Sequence, residues 1–240
     1  YILIIGSIVA LVFLAVAGNE KRAAAGLTRQ NWKSAVLIVL AFVGIYIVRT
    51  VVSVAVQGVS DGSGMQYVKE WAAMFKNPMM WLNIAALPIN YFFVFIAFFG
   101  EEYGWRYYLQ PVLQKRFGLR AGVIILGVVW GLWHIPDDLF YYTQTSGIQM
   151  IFAQQITCIS LGIFFAYAYM KTQNIWVPVC LHYLNNNLIP IISGTFSADV
   201  LENQTVSWKD LPVALVLNGL CFGFFLLADV FKKKEVQEEE

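Results

Sequence analysis

Long apolar runs separated by short polar connectors make up almost the whole chain. A helix of about 20 apolar residues crosses a bilayer core of about 30 Å. Seven runs approach or exceed this length: residues 1–17, 34–57, 81–100, 119–136, 148–170, 175–194 and 212–231. In lipid each run must be helical, because its backbone groups have no other hydrogen-bond partner. The pattern predicts an all-α integral membrane protein, a bundle of about seven transmembrane helices forming one domain over residues 1–240.

Composition supports this prediction and excludes several other classes of protein. Hydrophobic residues make up 59% of the 240 positions and charged residues only 13%, with a mean hydropathy of +0.63. Soluble domains carry about 25% charged residues. The net charge of +1 lacks the basic excess of a nucleic-acid partner. The three cysteines all lie in apolar runs, which argues against a disulfide framework.

The distribution of lysine and arginine predicts how the chain is oriented in the cell membrane. With the N-terminus outside, twelve of these residues fall on the cytoplasmic side and three in outer loops, while Arg49 lies within a run. Because positive charge accumulates on the cytoplasmic side, we expect an outer N-terminus and a cytoplasmic C-terminus. No basic residues precede the run 1–17, so we interpret it as a retained span rather than a cleaved signal peptide.

Ionisable residues in or beside the spans are the candidates for function, because burying them in a membrane is expensive. Glu101 and Glu102 directly follow the third run, and Arg106 comes four residues after Glu102, a spacing that suits an ion pair on a helix. The chain has only two histidines. His134 lies near the end of the fourth run and His182 lies within the sixth.

Spacing along the helices predicts that these groups meet inside the membrane. If the third and fourth runs form a hairpin that turns at Gly118, Glu101 is 17 residues before the turn and His134 is 16 after it. Both then lie about 24 Å from the turn at 1.5 Å per residue. His182 and Asn186 are four residues apart and share a helix face. We therefore expect an intramembrane polar cavity that contains these four side chains.

This set of side chains is suited to hydrolysis. A carboxylate beside an imidazole takes a proton from water, and desolvation favours such a base. A second imidazole and an amide donate hydrogen bonds to a developing oxyanion. Glu102 and Arg106 would support the site as an ion pair that neutralises a buried charge. Together these groups suffice to hydrolyse a peptide bond within a bilayer.

The sequence resembles the CAAX-protease and bacteriocin-processing family of intramembrane proteases, also called the CPBP or Abi family. The family's three motifs are EExxxR, FxxxH and HxxxN. Here the first begins at Glu101, the second ends at His134 with Trp130 in the place of phenylalanine, and the third runs from His182 to Asn186. The core that carries the motifs covers about residues 81–195.

The resemblance implies an intramembrane endopeptidase in which Glu101 and His134 activate water while His182 and Asn186 hold the oxyanion. A metal-free glutamate mechanism is favoured over zinc. The question stays open, because a catalytic zinc needs three protein ligands and Glu101, His134 and His182 would supply them. The implied substrate is a membrane-associated peptide, such as a bacteriocin or signalling precursor, or the C-terminus of a lipidated protein.

Two other classes of function also place polar residues in membrane spans. A non-catalytic self-immunity factor or scaffold would bind a peptide or a membrane partner, but it has no chemical need for the complete set of four residues. A proton-coupled transporter more often shows paired halves with broken helices, and the sequence shows no internal repeat. The protease hypothesis is therefore preferred.

Overall fold

All regular elements in the described part of the chain are helical, as predicted. The computed structural model describes residues 12, 15–60, 62, 65–194 and 198–232. Its elements are α1 (Asn19–Ala24), α2 (Trp32–Ser60), α3 (Met65–Met74), α4 (Pro78–Glu102), a π-helical segment (Tyr103–Leu109), α5 (Gln110–Phe117), α6 (Leu119–Trp133), α7 (Ile135–Phe140), α8 (Gly147–Thr172), α9 (Trp176–Ser193), α10 (Ala198–Glu202), α11 (Asp210–Cys221) and two 3₁₀ segments (Gly223–Leu227 and Asp229–Phe231).

Among the described residues, four stretches are long and apolar enough to cross a membrane: Trp32–Val56, Pro78–Phe117, Leu119–Phe140 and Gly147–Thr172. They correspond to the second, third, fourth and fifth predicted spans. Large apolar side chains are exposed along them, as expected for surfaces that face lipid. The protein is therefore a multi-pass membrane protein, and the total of seven spans stays a prediction.

The remaining predicted spans differ from these four. The first, residues 1–17, lies almost wholly outside the described residues. The sixth corresponds to α9, an 18-residue helix that contains Pro190. The seventh, residues 212–231, is not one continuous helix, because α11 ends at Cys221 and 3₁₀ segments follow. This break lets Phe222, which is fully buried, and the nearby Phe225 pack against Phe164 of α8.

A hairpin at Gly118 joins the two arms that carry the first two motifs, as predicted. Gly118 adopts a φ of +87°, a conformation that glycine accepts without steric cost. The arms approach closely, since a Cβ at Gly122 would lie 2.6 Å from the backbone nitrogen of Gln114. Small residues permit this kind of helix contact in membranes. The hairpin thus fixes α6 against α5.

Helix α8 forms the centre of the bundle and packs against α2, α6, α9 and α11. Its contact with α6 is close because glycines face each other. A Cβ at Gly127 would lie 2.6 Å from the Cα atom of Ile159, and one at Gly162 would lie 3.5 Å from the Cα atom of Gly127. This packing holds the motif-bearing helices in place around the site.

Candidate active site

The first motif forms a buried ion pair at the end of α4. Arg106 Nε donates to Glu102 Oε2 at 2.9 Å, and both side chains are 0% exposed. Arg106 lies in the π-helical segment, an irregularity that often occurs at functional sites. Its guanidinium carbon lies 5.4 Å from the ring centre of Trp130 and 5.6 Å from that of Phe165. The ion pair predicted from the spacing is therefore present, enclosed by aromatic rings.

The same carboxylate holds the last histidine. His182 Nδ1 lies 2.9 Å from Glu102 Oε1, and the imidazole is buried. Because an ionised carboxylate only accepts hydrogen bonds, Nδ1 carries the proton and donates it to Glu102. The ring packs edge-on against Phe98 and Trp130, with ring centres 5.2 and 5.4 Å away. His182 is thus fixed in orientation, and its Nε2 atom is free to serve another partner.

The second motif places His134 at the end of α6, half-buried. Its Nδ1 atom lies 2.9 Å from the backbone carbonyl oxygen of Trp130. Since a carbonyl oxygen only accepts hydrogen bonds, Nδ1 carries the proton here as well. The thiol sulfur of Cys158 lies 3.8 Å from the same nitrogen. In the neutral ring Nε2 is left as a hydrogen-bond acceptor.

Three of the four residues predicted to be catalytic line a single cavity of about 370 Å³. His134 comes from α6, and His182 and Asn186 come from α9. The other lining residues are Trp130, Tyr141, Tyr142, Met150, Gln154, Thr157, Cys158, Leu161, Asn185, Pro190, Leu201 and Gln204. The described residues therefore bring both histidines and the amide of Asn186 to one pocket. Its other walls combine apolar and aromatic side chains with polar ones.

Glu101 does not line this cavity. It is half-buried on the last turn of α4, and its Oε2 atom lies 3.5 Å from the indole nitrogen of Trp105. The glutamate that contacts His182 is thus the second of the pair, Glu102.

Sequence reasoning missed two contacts at this site. The hydrogen bond between Glu102 and His182 was not predicted. The available signal was that two adjacent glutamates on a helix must point in different directions. Asn185 was also not among the predicted site residues, yet it lines the cavity and its Nδ2 atom donates to Asn186 Oδ1 at 2.9 Å. The run of three asparagines was the available signal.

A catalytic zinc would need three donor side chains around one point. Within the described residues no group of three or more His, Cys, Asp or Glu side chains is arranged in this way. Glu101, His134 and His182 are thus not gathered around a common point as they are placed here.

The fold and the site define a class of protein: a helical membrane protein with a buried Glu–His–Arg cluster beside a polar cavity. Residues 82–188 match the family model described as "Type II CAAX prenyl endopeptidase Rce1-like". This interval contains all three motifs. Over this interval, somewhat less than half of the chain, the protein is similar to CAAX prenyl endopeptidases, in agreement with the resemblance carried by the motifs.

A curated relative supports the same family. The chain is 27% identical over 125 residues to "CAAX prenyl protease 2" of Methanococcus maripaludis, an alignment that covers 48% of this chain and 45% of the relative. The chain thus spans about half the length of the curated relative that it matches. No solved structure matches the chain at a significant level.

Proposed function

We propose that the protein is an intramembrane endopeptidase that hydrolyses a peptide bond of a membrane-associated peptide or lipidated protein. The observation that supports this most directly is the common cavity of His134, His182 and Asn186. A pocket with two imidazoles and an amide is costly to build in a membrane. Its presence in a chain that is similar to CAAX proteases over residues 82–188 favours a catalytic role over a purely structural one.

Glu101 and His134 act on the nucleophilic water. The Nε2 atom of His134 accepts a hydrogen bond from the water, since Nδ1 is directed to the carbonyl of Trp130. The carboxylate of Glu101 takes the proton as the water oxygen bonds to the scissile carbonyl carbon. The proton then passes to the leaving amine as the carbon–nitrogen bond breaks. This role requires the Glu101 side chain to turn toward the cavity, because Glu101 is not among the lining residues.

His182 and Asn186 stabilise the negative charge that develops on the carbonyl oxygen. Glu102 holds the Nδ1 atom of His182, and a proton on Nε2 makes that atom a hydrogen-bond donor to the oxyanion. The side-chain amide of Asn186 provides a second donor. Donors held in place before the reaction stabilise the transition state without the cost of reorganisation. Glu102 therefore acts as a positioning residue for His182.

Arg106 keeps the charge of this cluster in balance. Its guanidinium offsets the Glu102 carboxylate, and its Nη1 atom donates to the carbonyl oxygen of Gly162 at 3.4 Å. The pair thereby ties α4 and the π-helical segment to α8. We propose that these side chains act without a metal ion.

The family and the relative's name support a lipidated substrate. A lipid anchor would hold the substrate at the bilayer, beside the helices that carry the cavity-lining residues. We propose that the scissile bond lies near the C-terminus of such a protein and enters the cavity from the membrane. A membrane-associated peptide without a lipid is the second substrate to test.

The test is a cleavage assay with purified protein in lipid vesicles. The probes are an internally quenched prenylated peptide ending in a CAAX sequence and the same peptide without the prenyl group. We expect the wild type to cleave the prenylated peptide, and Glu101→Gln and His134→Ala to abolish cleavage. Glu20→Gln, at an exposed glutamate of α1, is the matched control and should retain full activity.

The outcomes separate the candidate functions. Undiminished cleavage by a folded Glu101→Gln protein contradicts the proposed role of this residue. Binding of either peptide by the wild type without any cleavage would favour the self-immunity or scaffold hypothesis. Product masses from the two peptides identify the scissile bond.

A further inference from the structure

A chain of hydrogen bonds leads from the apolar core to the amide of Asn186. It begins at Tyr46 in the middle of α2, a residue only 4% exposed. The Tyr46 hydroxyl donates to Asn185 Oδ1. The Nδ2 atom of Asn185 donates in turn to Asn186 Oδ1 at 2.9 Å. Asn186 is therefore connected to a helix that lies outside the family-matched region.

The direction of these hydrogen bonds determines which end of Asn186 is free. A primary amide has nearly the same shape in its two orientations, but only its NH₂ group donates hydrogen bonds. Tyr46 occupies the oxygen of Asn185, so the NH₂ group of Asn185 faces Asn186. The oxygen of Asn186 accepts this bond, and its own NH₂ group remains available. Only this orientation of Asn186 suits an oxyanion.

The first member of the chain is held rigidly. The ring of Tyr46 packs against Phe42 and Phe222, with ring centres 4.9 and 5.0 Å away. Arg49, one turn further along α2, lies with its guanidinium carbon 5.8 Å from the Tyr46 ring centre and donates from Nε to Asn218 Oδ1 at 3.0 Å. Contacts from both α2 and α11 thus fix the hydroxyl.

We infer that Tyr46 and Asn185 are positioning residues that orient the side-chain amide of Asn186 as a hydrogen-bond donor toward the cavity. This inference rests on the proposed peptidase function. An oxyanion donor acts mainly in the transition state, so loss of its orientation lowers kcat and leaves KM nearly unchanged. A residue with only a structural role would not lower kcat while leaving KM nearly unchanged.

The first experiment compares two tyrosine-to-phenylalanine variants in the peptide cleavage assay. Tyr46→Phe removes the first hydrogen bond, and we expect kcat to fall by about tenfold with KM within about twofold of the wild type. Tyr183→Phe is the matched control. Tyr183 is equally buried and its hydroxyl donates to the carbonyl oxygen of Leu87 at 2.7 Å, outside the chain of bonds to Asn186. Its kcat should stay within about twofold of the wild type.

A double-mutant cycle gives the decisive measurement. If Tyr46 acts through Asn186, Tyr46→Phe should cause no further loss of kcat in an Asn186→Ala background. Independent losses that multiply would overturn the inference. Asn185→Asp is a second variant of nearly the same size, which keeps an acceptor for Tyr46 but removes the donor to Asn186. It should lower kcat at least as much as Tyr46→Phe.

The two proposals fail in different ways. A wild-type protein that cleaves neither peptide contradicts the proposed function. A wild-type protein that cleaves, together with Tyr46→Phe and Asn185→Asp variants of unchanged kcat, overturns the positioning role while leaving the peptidase function in place. A similar loss in Tyr183→Phe would also overturn it, because the effect would then belong to any buried hydroxyl.

Discussion

Glu102 and His182 lie 80 positions apart in the sequence, and a hydrogen bond of 2.9 Å joins their side chains in the interior of the bundle. The other oxygen of Glu102 is bound to Arg106. The adjacent Glu101 is half-buried and has no ion pair among the described residues. Two neighbouring glutamates therefore have different surroundings, one fixed within a charge cluster and one outside it beside the indole of Trp105.

Glu102→Gln should strongly destabilise the protein. A glutamine has one side-chain oxygen, so either Arg106 or His182 loses its acceptor, and the new NH₂ group faces a donor. Removing one partner of a buried ion pair costs about 3–5 kcal/mol. We expect a clearly lower midpoint of thermal unfolding for the variant in detergent, followed by intrinsic fluorescence.

Glu101→Gln provides the contrast for this measurement. Because Glu101 is half-buried and outside the charge cluster, its substitution should change the free energy of unfolding by no more than about 1 kcal/mol. The same unfolding midpoint in both variants would show that the Glu102 cluster does not stabilise the fold.

Trp130→Phe should retain stability and most of the activity, whereas Trp130→Ala should lose both. The ring lies 5.4 Å from His182 and 5.8 Å from His134, between ring centres. Its indole nitrogen is buried and has no hydrogen-bond partner among the described residues, so only the ring surface is needed. Truncating a buried tryptophan to alanine costs about 3–5 kcal/mol.

The check is to measure unfolding midpoints and cleavage rates of both Trp130 variants side by side. Phenylalanine stands at this position in the family motif, so the Trp130→Phe protein also tests whether the departure from the motif matters. A Trp130→Phe protein as inactive as Trp130→Ala would mean that the indole group itself contributes to the site.

The sequence was sufficient to predict the helices that face lipid and the hairpin that turns at Gly118. Spans such as 119–136 and 148–170 are continuous apolar runs, and the glycine at position 118 marks the turn, so local composition determines these elements. The i, i+4 spacing also predicted the pair of Glu102 and Arg106, because residues four apart always share a helix face. Such features depend only on neighbours in the sequence.

Contacts between distant helices could not be predicted in this way. The rotation of α4 relative to α9 decides whether Glu101 or Glu102 faces His182, and the motif contains no information about that rotation. The break after Cys221 likewise depends on how Phe222 fits beside Phe164, a tertiary contact. Both features follow from packing between helices rather than from the hydropathy of one helix.

Gly127→Ala should destabilise the contact between α6 and α8. The new methyl group would lie 2.6 Å from the Cα atom of Ile159, so the backbones must separate. Overpacking of this kind costs about 1–3 kcal/mol. Thermal unfolding in detergent measures the effect.

Gly44→Ala in α2 is the control for this substitution. A Cβ there meets nothing within 4 Å, and alanine favours a helix interior by about 0.5–1 kcal/mol relative to glycine. The two variants should therefore shift the unfolding midpoint in opposite directions. Equal shifts would show that helix propensity, and not the α6–α8 contact, determines the response.

Asp138→Asn should raise the stability of the protein. Asp138 on α7 is fully buried, and neither of its carboxylate oxygens has a hydrogen-bond partner among the described residues. An unpaired buried carboxylate is more costly than a neutral amide of the same shape, so the change should stabilise the fold by about 1 kcal/mol or more. Asp137→Asn is the matched control, because the adjacent Asp137 is exposed and its replacement should leave the unfolding midpoint almost unchanged. A lower midpoint for Asp138→Asn would contradict the prediction and would show that the buried carboxylate makes a stabilising contact in the membrane.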